Sequence, residues 1–235
     1  MAAPDGVAVT ASGEKFNGIG MTSTRTRTRM IERLREQGIK DEAVLAAMVA
    51  VPRHIFVEDA LAIRAYEDSP LPIGAGQTIS QPYVVARMSE LLRVGGRLSR
   101  VLEIGTGCGY QTAILAQLAD EVYTVERIAT LVAKARRNLR ALKTTNVRIM
   151  HGDGTADLGE ELEVDGIMVT AAATQVPTAL LRYLKIGGRM VLPLARYDDE
   201  LKGVQLLTVI DKAPNGVREQ TYDAVRFVPL LPGLA

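Results

Sequence analysis

The chain has 235 residues, 47% of them hydrophobic, and a formal net charge of +1 at neutral pH. That composition fits one globular unit with a sizeable core and carries no electrostatic footprint for a nucleic acid or an anionic membrane. A single cysteine and two histidines, His54 and His151, exclude an internal disulfide and a multi-cysteine metal cluster, and no apolar run spans a bilayer, so a cytoplasmic protein without a metal is expected.

Residues 1–28 are poor in large apolar groups and run into a Thr/Arg alternation that ends at Arg29, which reads as a mobile tail. From Met30 the pattern turns helical. Met30, Ile31 and Leu34 share a face, Gly38 stops the helix, and Asp41 caps a second helix through Ala50 that Pro52 terminates. This preface leads into residues 70–82, PLPIGAGQTISQP, which have no periodicity and precede an apolar helix over 83–92. Ser80 can cap that helix, with Pro82 in its first turn. A hydroxyl and free backbone N–H groups at a helix start can also hold an anion such as a carboxylate; spacing alone favours the cap.

The chain is organised around residues 100–110, RVLEIGTGCGY. Val101, Leu102 and Ile104 form the apolar run of a strand buried on both faces, Gly105, Gly107 and Gly109 follow, and Ala113, Ile114, Leu115 and Leu118 recur at helical spacing. Strand, glycine turn and helix in that order bring backbone close to a nucleoside-bearing ligand. The dinucleotide spacing Gly-x-Gly-x-x-Gly is not met, because the third glycine comes one residue early. Glu103 would repel a diphosphate but suits the cationic amino-acid end of S-adenosylmethionine. A second apolar strand over 122–125 ends in Glu126, an acid placed to accept bonds from ribose hydroxyls.

A basic helix over 127–142 and a strand over 147–150 lead into HGDG, where Asp153 can accept from the exocyclic amine of adenine or simply form an Asp-Gly turn. A strand over 166–170 gives out at small residues, 171–173, where ligands enter open α/β sheets. Pro177 opens a further helix that Gly187 and Gly188 close, followed by a strand over 190–194. Two last strands, 204–210 and 219–228, flank Pro214, Asn215 and Gly216, an antiparallel hairpin signal. The alternation predicts a doubly wound, Rossmann-like α/β fold.

Several of these stretches together resemble the protein-L-isoaspartate (D-aspartate) O-methyltransferase family: VPRHIF (51–56), PLPIGAGQTISQPYVVARM (70–88), VLEIGTGCGYQTAILA (101–116), VERI (125–128), HGDG (151–154), VTAAA (169–173), GGRMVLP (187–193) and RFVPL (226–230). The resemblance covers about residues 29–229. GQTISQP is its most specific part, since EIGTGCGY and GDG are shared widely among S-adenosylmethionine enzymes. It implies a seven-stranded methyltransferase sheet with the last two strands exchanged, divided into a tail (1–28), a helical preface with a covering loop (29–82) and a Rossmann-like core (83–235).

The resemblance further implies S-adenosyl-L-methionine as cofactor, held by Gln77, Thr78, Ile79, Ser80, Glu103, Gly105, Thr106, Gly107, Gly109, Glu126, Arg127, Asp153 and Gly154. Ser80 is the implied catalytic residue, and Thr78, Ile79, Ser80, Ala171 and Val228 the substrate-binding ones. Isoaspartyl-containing proteins and peptides are the implied substrates of a repair methylation by a monomer, with neither nucleic acid nor membrane as partner. The chain departs from the family at its glycine-rich N-terminal extension and after Leu231. The acceptor in such a substrate is an α-type carboxylate with a pKa of roughly 3.5, already an anion at neutral pH, so no general base is needed. Cys108 reads as a small residue that fits the glycine loop, and His54 and His151 as structural.

Overall fold

The structure, a computed structural model, describes residues 18–94, 96–159, 161–196 and 203–235. Helix α1 (Thr24–Glu36) begins at Ser23, whose hydroxyl accepts the Thr26 N–H, and buries Arg27, Met30, Ile31 and Leu34 along one stripe. The expected tail is corrected here. Its residues 1–17 lie outside the described residues, but the Thr/Arg run itself is helix. Arg27 occupies an apolar slot, stem inward, with Nη1 donating to the Val49 carbonyl at 2.7 Å. Helix α2 (Glu42–Ala50) starts as expected from Asp41, whose carboxylate accepts the Ala43 and Val44 N–H groups.

The proline-rich stretch is an antiparallel pair, β1 (Leu71–Gly74) with β2 (Gln77–Ile79), leading into α3 (Pro82–Leu92). Gln81, not Ser80, is the N-cap of α3, and its own side chain makes no capping bond; the Tyr83 N–H is instead accepted by Asp68 Oδ1 at 2.9 Å. Pro82 opens the helix without an N–H, which leaves one fewer unpaired donor at this end, and Ser80 stands one residue outside.

The main sheet is built from β3 (Leu98–Ile104), β4 (Ala119–Glu126), β5 (Val147–His151), β6 (Val164–Val169), β7 (Leu184–Arg196), β8 (Val204–Ala213) and β9 (Gly216–Val225). Its order is β5-β4-β3-β6-β7-β8-β9, the first five parallel and the last two antiparallel additions. The last two strands lie in chain order at the edge, joined through Pro214 and Asn215. Helices α4 (Tyr110–Leu118) and α5 (Ala129–Ala141) connect the early strands.

Between β6 and β7 the sequence expectation fails. Helix α6 (Thr178–Leu181) is a single turn, and β7 already begins at Leu184, running through Gly187 and Gly188. The glycines mark an irregularity in pairing between Val164 and Gly166 rather than a helix stop. A Cβ on Gly188 would stand 2.8 Å from a Leu184 methyl and 2.9 Å from the Asp165 carbonyl.

The helical preface is not a separate layer. Met30 and Leu34 of α1 and Val44 and Met48 of α2 are buried in one cluster with Tyr110 and Ile114 of α4 and Leu131 of α5. At about 25 cal/mol per Å² of apolar surface removed from water, that shared burial fixes the hairpin β1–β2 over the ends of β3 and β4. Among the described residues no helix is long and apolar enough to cross a membrane.

Candidate active site

The strand order reverses at β3, which pairs with β4 on one side and β6 on the other, and open α/β sheets bind ligands at such a switch point, beyond the strands' carboxyl ends. Gly105 and Thr170 stand there. The Thr170 hydroxyl lies 2.6 Å from the Gly105 carbonyl, and a Cβ on Gly105, whose φ is +97°, would come within 2.3 Å of that hydroxyl. Only glycine fits.

Three hollows share walls around this point. A narrow one is lined by Ile73, Gln77, Thr78, Gly105, Gly107, Glu126, Arg127, Ile128, Leu131, Gly154, Thr170, Ala171, Val228 and Leu231. A second is lined by Thr78, Ile79, Ser80, Gly105, Thr106, Gly107, Cys108, Tyr110, Gln111 and Thr170. The third is a broad groove of about 910 Å³ bounded by Pro70, Thr78, Ser80, Gln81, Tyr83, Thr170, Asp223, Arg226, Phe227 and Val228. Thr78 and Thr170 border all three, and Ser80 borders the second hollow and the groove.

Glu126 ends β4 almost fully buried, with Oε2 accepting the Gly107 N–H at 2.8 Å and Oε1 the Ile128 N–H at 3.0 Å. The N–H groups of Gly105 and Thr106 are spent on the Val125 carbonyl. With its donors turned inward the loop is no phosphate cradle, as its spacing indicated. A carboxylate on one wall, apolar Ile73, Ile128 and Leu131 on others, and Ser80, Thr106 and Gln111 at the far end suit a ribose, a base and an amino-acid end in turn.

Three expected cofactor residues are not placed in these hollows. Glu103 is fully buried beneath the sheet; its Oε2 accepts the hydroxyls of Thr112 at 2.5 Å and Thr124 at 2.6 Å. Burial pushes its carboxyl up to about 7, against the two hydroxyl donors. Gly109 serves packing: it opens α4 in the left-handed region (φ +89°), and a Cβ there would meet Ala135 of α5 at 3.3 Å. Asp153 faces the end of the sequence. Its Oδ1 accepts from Thr155 and its Oδ2 from the Gly233 N–H at 2.6 Å; burial alone would raise its pKa, but these bonds outweigh that and hold it below the usual carboxylate range.

The segment beyond Leu231 is strapped down beside the first hollow. The Arg127 guanidinium donates to the carbonyls of Gly233 and Pro232, while Ala235 bonds the Arg127 carbonyl and the Ala129 N–H. Upstream, Val228 and Leu230 bond Ala172. These contacts explain why Arg127, Ala171 and Val228, far apart in sequence, meet.

Sequence reasoning missed Thr170, Gln111 and the apolar wall of Ile73, Ile128 and Leu131. Thr170 had a signal, as the last residue of the strand before the small residues already singled out. The others come together only through tertiary packing. His54 bonds the Tyr66 hydroxyl at 2.8 Å, and exposed His151 the Arg127 carbonyl at 3.1 Å; neither borders the hollows. Cys108 is buried, and burial pushes its thiol up.

A seven-stranded, mostly parallel sheet with a glycine loop after its first core strand and a buried acid ending the second is the fold of a Rossmann-like, S-adenosylmethionine-dependent methyltransferase. Within that class, the family pattern described as protein-L-isoaspartate(D-aspartate) O-methyltransferase matches residues 25–234, and the chain belongs to this family. It is 57% identical over 222 residues to the protein-L-isoaspartate O-methyltransferase of Methylobacillus flagellatus, covering 94% of this chain and 99% of that one. To that of Dechloromonas aromatica it is 58% identical over 219 residues, covering 93% and 99%. The fold is similar to a crystal structure of a protein-L-isoaspartate O-methyltransferase from Plasmodium falciparum in complex with S-adenosyl-L-homocysteine, with a TM-score of 0.72, 28% identity and coverage of 87% of this chain and 98% of that one.

Proposed function

We propose that this chain transfers a methyl group from S-adenosyl-L-methionine to the free α-carboxylate of L-isoaspartyl residues, and to the side-chain carboxylate of D-aspartyl residues, in damaged proteins and peptides. One observation supports the choice of acceptor: where Ser80, Thr78 and Thr170 separate the narrow hollows from the broad groove, no side chain among the described residues is fit to take a proton. The histidines are elsewhere, the Cys108 thiol is pushed up, and Asp223, the only acid lining the groove among the described residues, has its oxygens bonded by Tyr83 and Arg87. Burial raises the Asp223 carboxyl, but the bonds from Arg87, Tyr83 and backbone together outweigh it and lower it, which makes it a poor base. An acceptor that is already an anion needs none.

Bound in the narrow hollows, S-adenosylmethionine supplies an electrophilic methyl group. Glu126 takes the ribose, Gly154 and Ala171 leave room for the adenosine, and Gln77, Thr78, Ile79 and Arg127 close over it. Ser80, its hydroxyl free of helix capping, holds the acceptor carboxylate at the border with the groove, so that catalysis is orientation and exclusion of water rather than proton transfer. Ile79, Ala171 and Val228 shape the substrate side. The methyl ester formed is open to attack by the neighbouring peptide nitrogen, which expels methanol and gives a succinimide that reopens in part to aspartate. A cytoplasmic monomer acting on peptide, with no nucleic acid, accompanies this reading; the near-neutral charge and lone cysteine support it.

The deciding experiment is methyl transfer from labelled cofactor to paired peptides that differ only in aspartyl or isoaspartyl linkage. Label in the isoaspartyl member alone is the expected result; equal labelling, or none, overturns the reading.

A further inference from the structure

Among the described residues that line the broad groove, two carry charge, Asp223 and Arg226. Asp223 is already engaged: its Oδ1 accepts the Tyr83 hydroxyl at 3.1 Å and its Oδ2 the Arg87 Nε at 3.0 Å. Arg87 also reaches Glu90 at 2.9 Å, and the other oxygen of Glu90 accepts the N–H groups of Lys40 and Asp41 at the start of α2. That network is closed on itself. Arg226 is exposed, and its guanidinium has neither a hydrogen-bond acceptor nor an acid within ion-pair distance among the described residues.

The backbone beside Arg226 is held in place. Phe227 donates its N–H to Gln205 Oε1 at 2.6 Å, and its carbonyl accepts Gln205 Nε2 at 3.1 Å, so one amide of β8 clamps both sides. Val225 and Phe227 pack against the apolar cluster that contains Val84 and Met88 of α3, and exposed Arg226 stands between them. Val228, two residues on, lines both the groove and the first hollow. At most about 7 Å of backbone thus separates Arg226 from the border where the acceptor carboxylate is proposed to sit. An extended peptide advances about 3.3 Å per residue, so a side chain one or two residues from the acceptor falls within reach of the guanidinium.

We propose that Arg226 is a specificity-determining residue: it favours isoaspartyl chains that carry a carboxylate one or two residues from the methylated position, by pairing with that carboxylate in the groove. This rests on the reading of the groove as the seat of the peptide. The carboxylate has two sources, an aspartate or glutamate side chain or the end of a peptide cut close to the damaged residue, and a guanidinium pairs with either in the same way. An exposed pair of this kind adds little affinity but discriminates by sign, since a lysine in the same position meets a like charge.

The test is steady-state methylation of isoaspartyl peptides, amidated at the C-terminus, that differ in one residue: glutamate, glutamine or lysine at each of the two positions on either side. The wild-type enzyme is expected to show a KM about two- to fivefold lower for glutamate than for glutamine at one position at least, with lysine above both. The spread should shrink at about 1 M salt, where the screening length is roughly 3 Å. Arg226→Lys should keep the order, Arg226→Leu should bring the three KM values together, and Arg226→Glu should reverse them. A glutamine peptide ending in a free carboxylate beside the isoaspartyl residue separates the two sources: a lower KM that Arg226→Leu abolishes puts the chain end in the groove, and an unchanged KM restricts the proposal to side chains. Equal KM values in the wild type, an order that survives in Arg226→Leu and Arg226→Glu, or a fall in kcat common to all three peptides, which would put Arg226 on the acceptor itself, each overturns the proposal. None of these results touches isoaspartyl methylation as such; if the wild type labels no peptide, it is the function proposed above that fails.

Discussion

Glu126 Oε2 accepts the Gly107 N–H at 2.8 Å, so the acid that ends β4 also ties down the middle of the glycine loop. Loop geometry and the ribose contact proposed for Glu126 therefore rest on one carboxylate, and both consequences should appear together when it is removed.

Glu126→Ala is expected to weaken S-adenosylhomocysteine binding roughly ten- to a hundredfold, about 1.5–3 kcal/mol for a charge-assisted bond. Glu126→Gln retains an acceptor and should lose less. Isothermal calorimetry checks both, and unchanged affinity in Glu126→Ala would remove this residue from the site.

For Ser80 the structure separates stability from turnover. Because Gln81 is the N-cap of α3, Ser80→Ala should not incur the 0.5–2 kcal/mol that losing a cap typically costs, and its melting temperature should stay near wild type. Turnover on an isoaspartyl peptide should fall at least tenfold with cofactor affinity held, since the lost contact serves the transition state. A folded Ser80→Ala enzyme with wild-type turnover would return the carboxylate to backbone N–H groups alone.

Glu103 gives a pH dependence with a definite sign. Its carboxyl rises from 4.5 to about 7 on folding, because burial outweighs donation from Thr112 and Thr124, so between those values the folded state holds more proton than the unfolded one. Stability from this group is full below the unfolded value and is lost as the pH rises through about 7. The loss is on the order of 3 kcal/mol at 1.36 kcal/mol per unit. Chemical denaturation at pH 5 and pH 8 should show Glu103→Gln gaining on wild type as the pH rises; a constant difference would mean that the carboxyl titrates normally.

Arg27 tests the helical reading of the Thr/Arg run. Its guanidinium satisfies the Val49 carbonyl, in the last turn of α2 where helix carbonyls lack internal partners, and lies 6.0 Å from the Tyr66 ring centroid. Arg27→Ala should cost about 1–3 kcal/mol by urea unfolding, whereas deleting residues 1–17 should leave unfolding and turnover unchanged. If the two perturbations behave alike, the stripe from Arg27 to Leu34 is not what holds α1.

Most of the architecture was legible because the parallel strands carry short, largely apolar runs and the first two helices declare a stop at Gly38 and a start at Asp41. What escaped was direction. A strand buried on both faces gives no parity signal, so nothing local says whether Glu103 looks at the ligand or at α4. The clue lay in register: Thr124 pairs with Glu103 across the parallel strands, a polar couple in two otherwise apolar runs. Arg27 was misread for the converse reason, since a long stem makes arginine serve as an apolar residue when its head can reach a carbonyl. Gly187 and Gly188 punctuate strand and helix alike, and only the crowding at Leu184 and Asp165 tells which.

The bonds that hold residues 232–235 to Arg127, Ala129 and Asp153 have a practical side. Because they flank the first hollow, where the adenosine is proposed to sit, a small fluorophore attached to this segment is expected to stand near the path of cofactor and product and to report their exchange optically, with the proposed binding residues unchanged. A bulky fusion in the same place would stand in that path, so tagged and untagged preparations should be compared before rates of product release are ascribed to the enzyme itself.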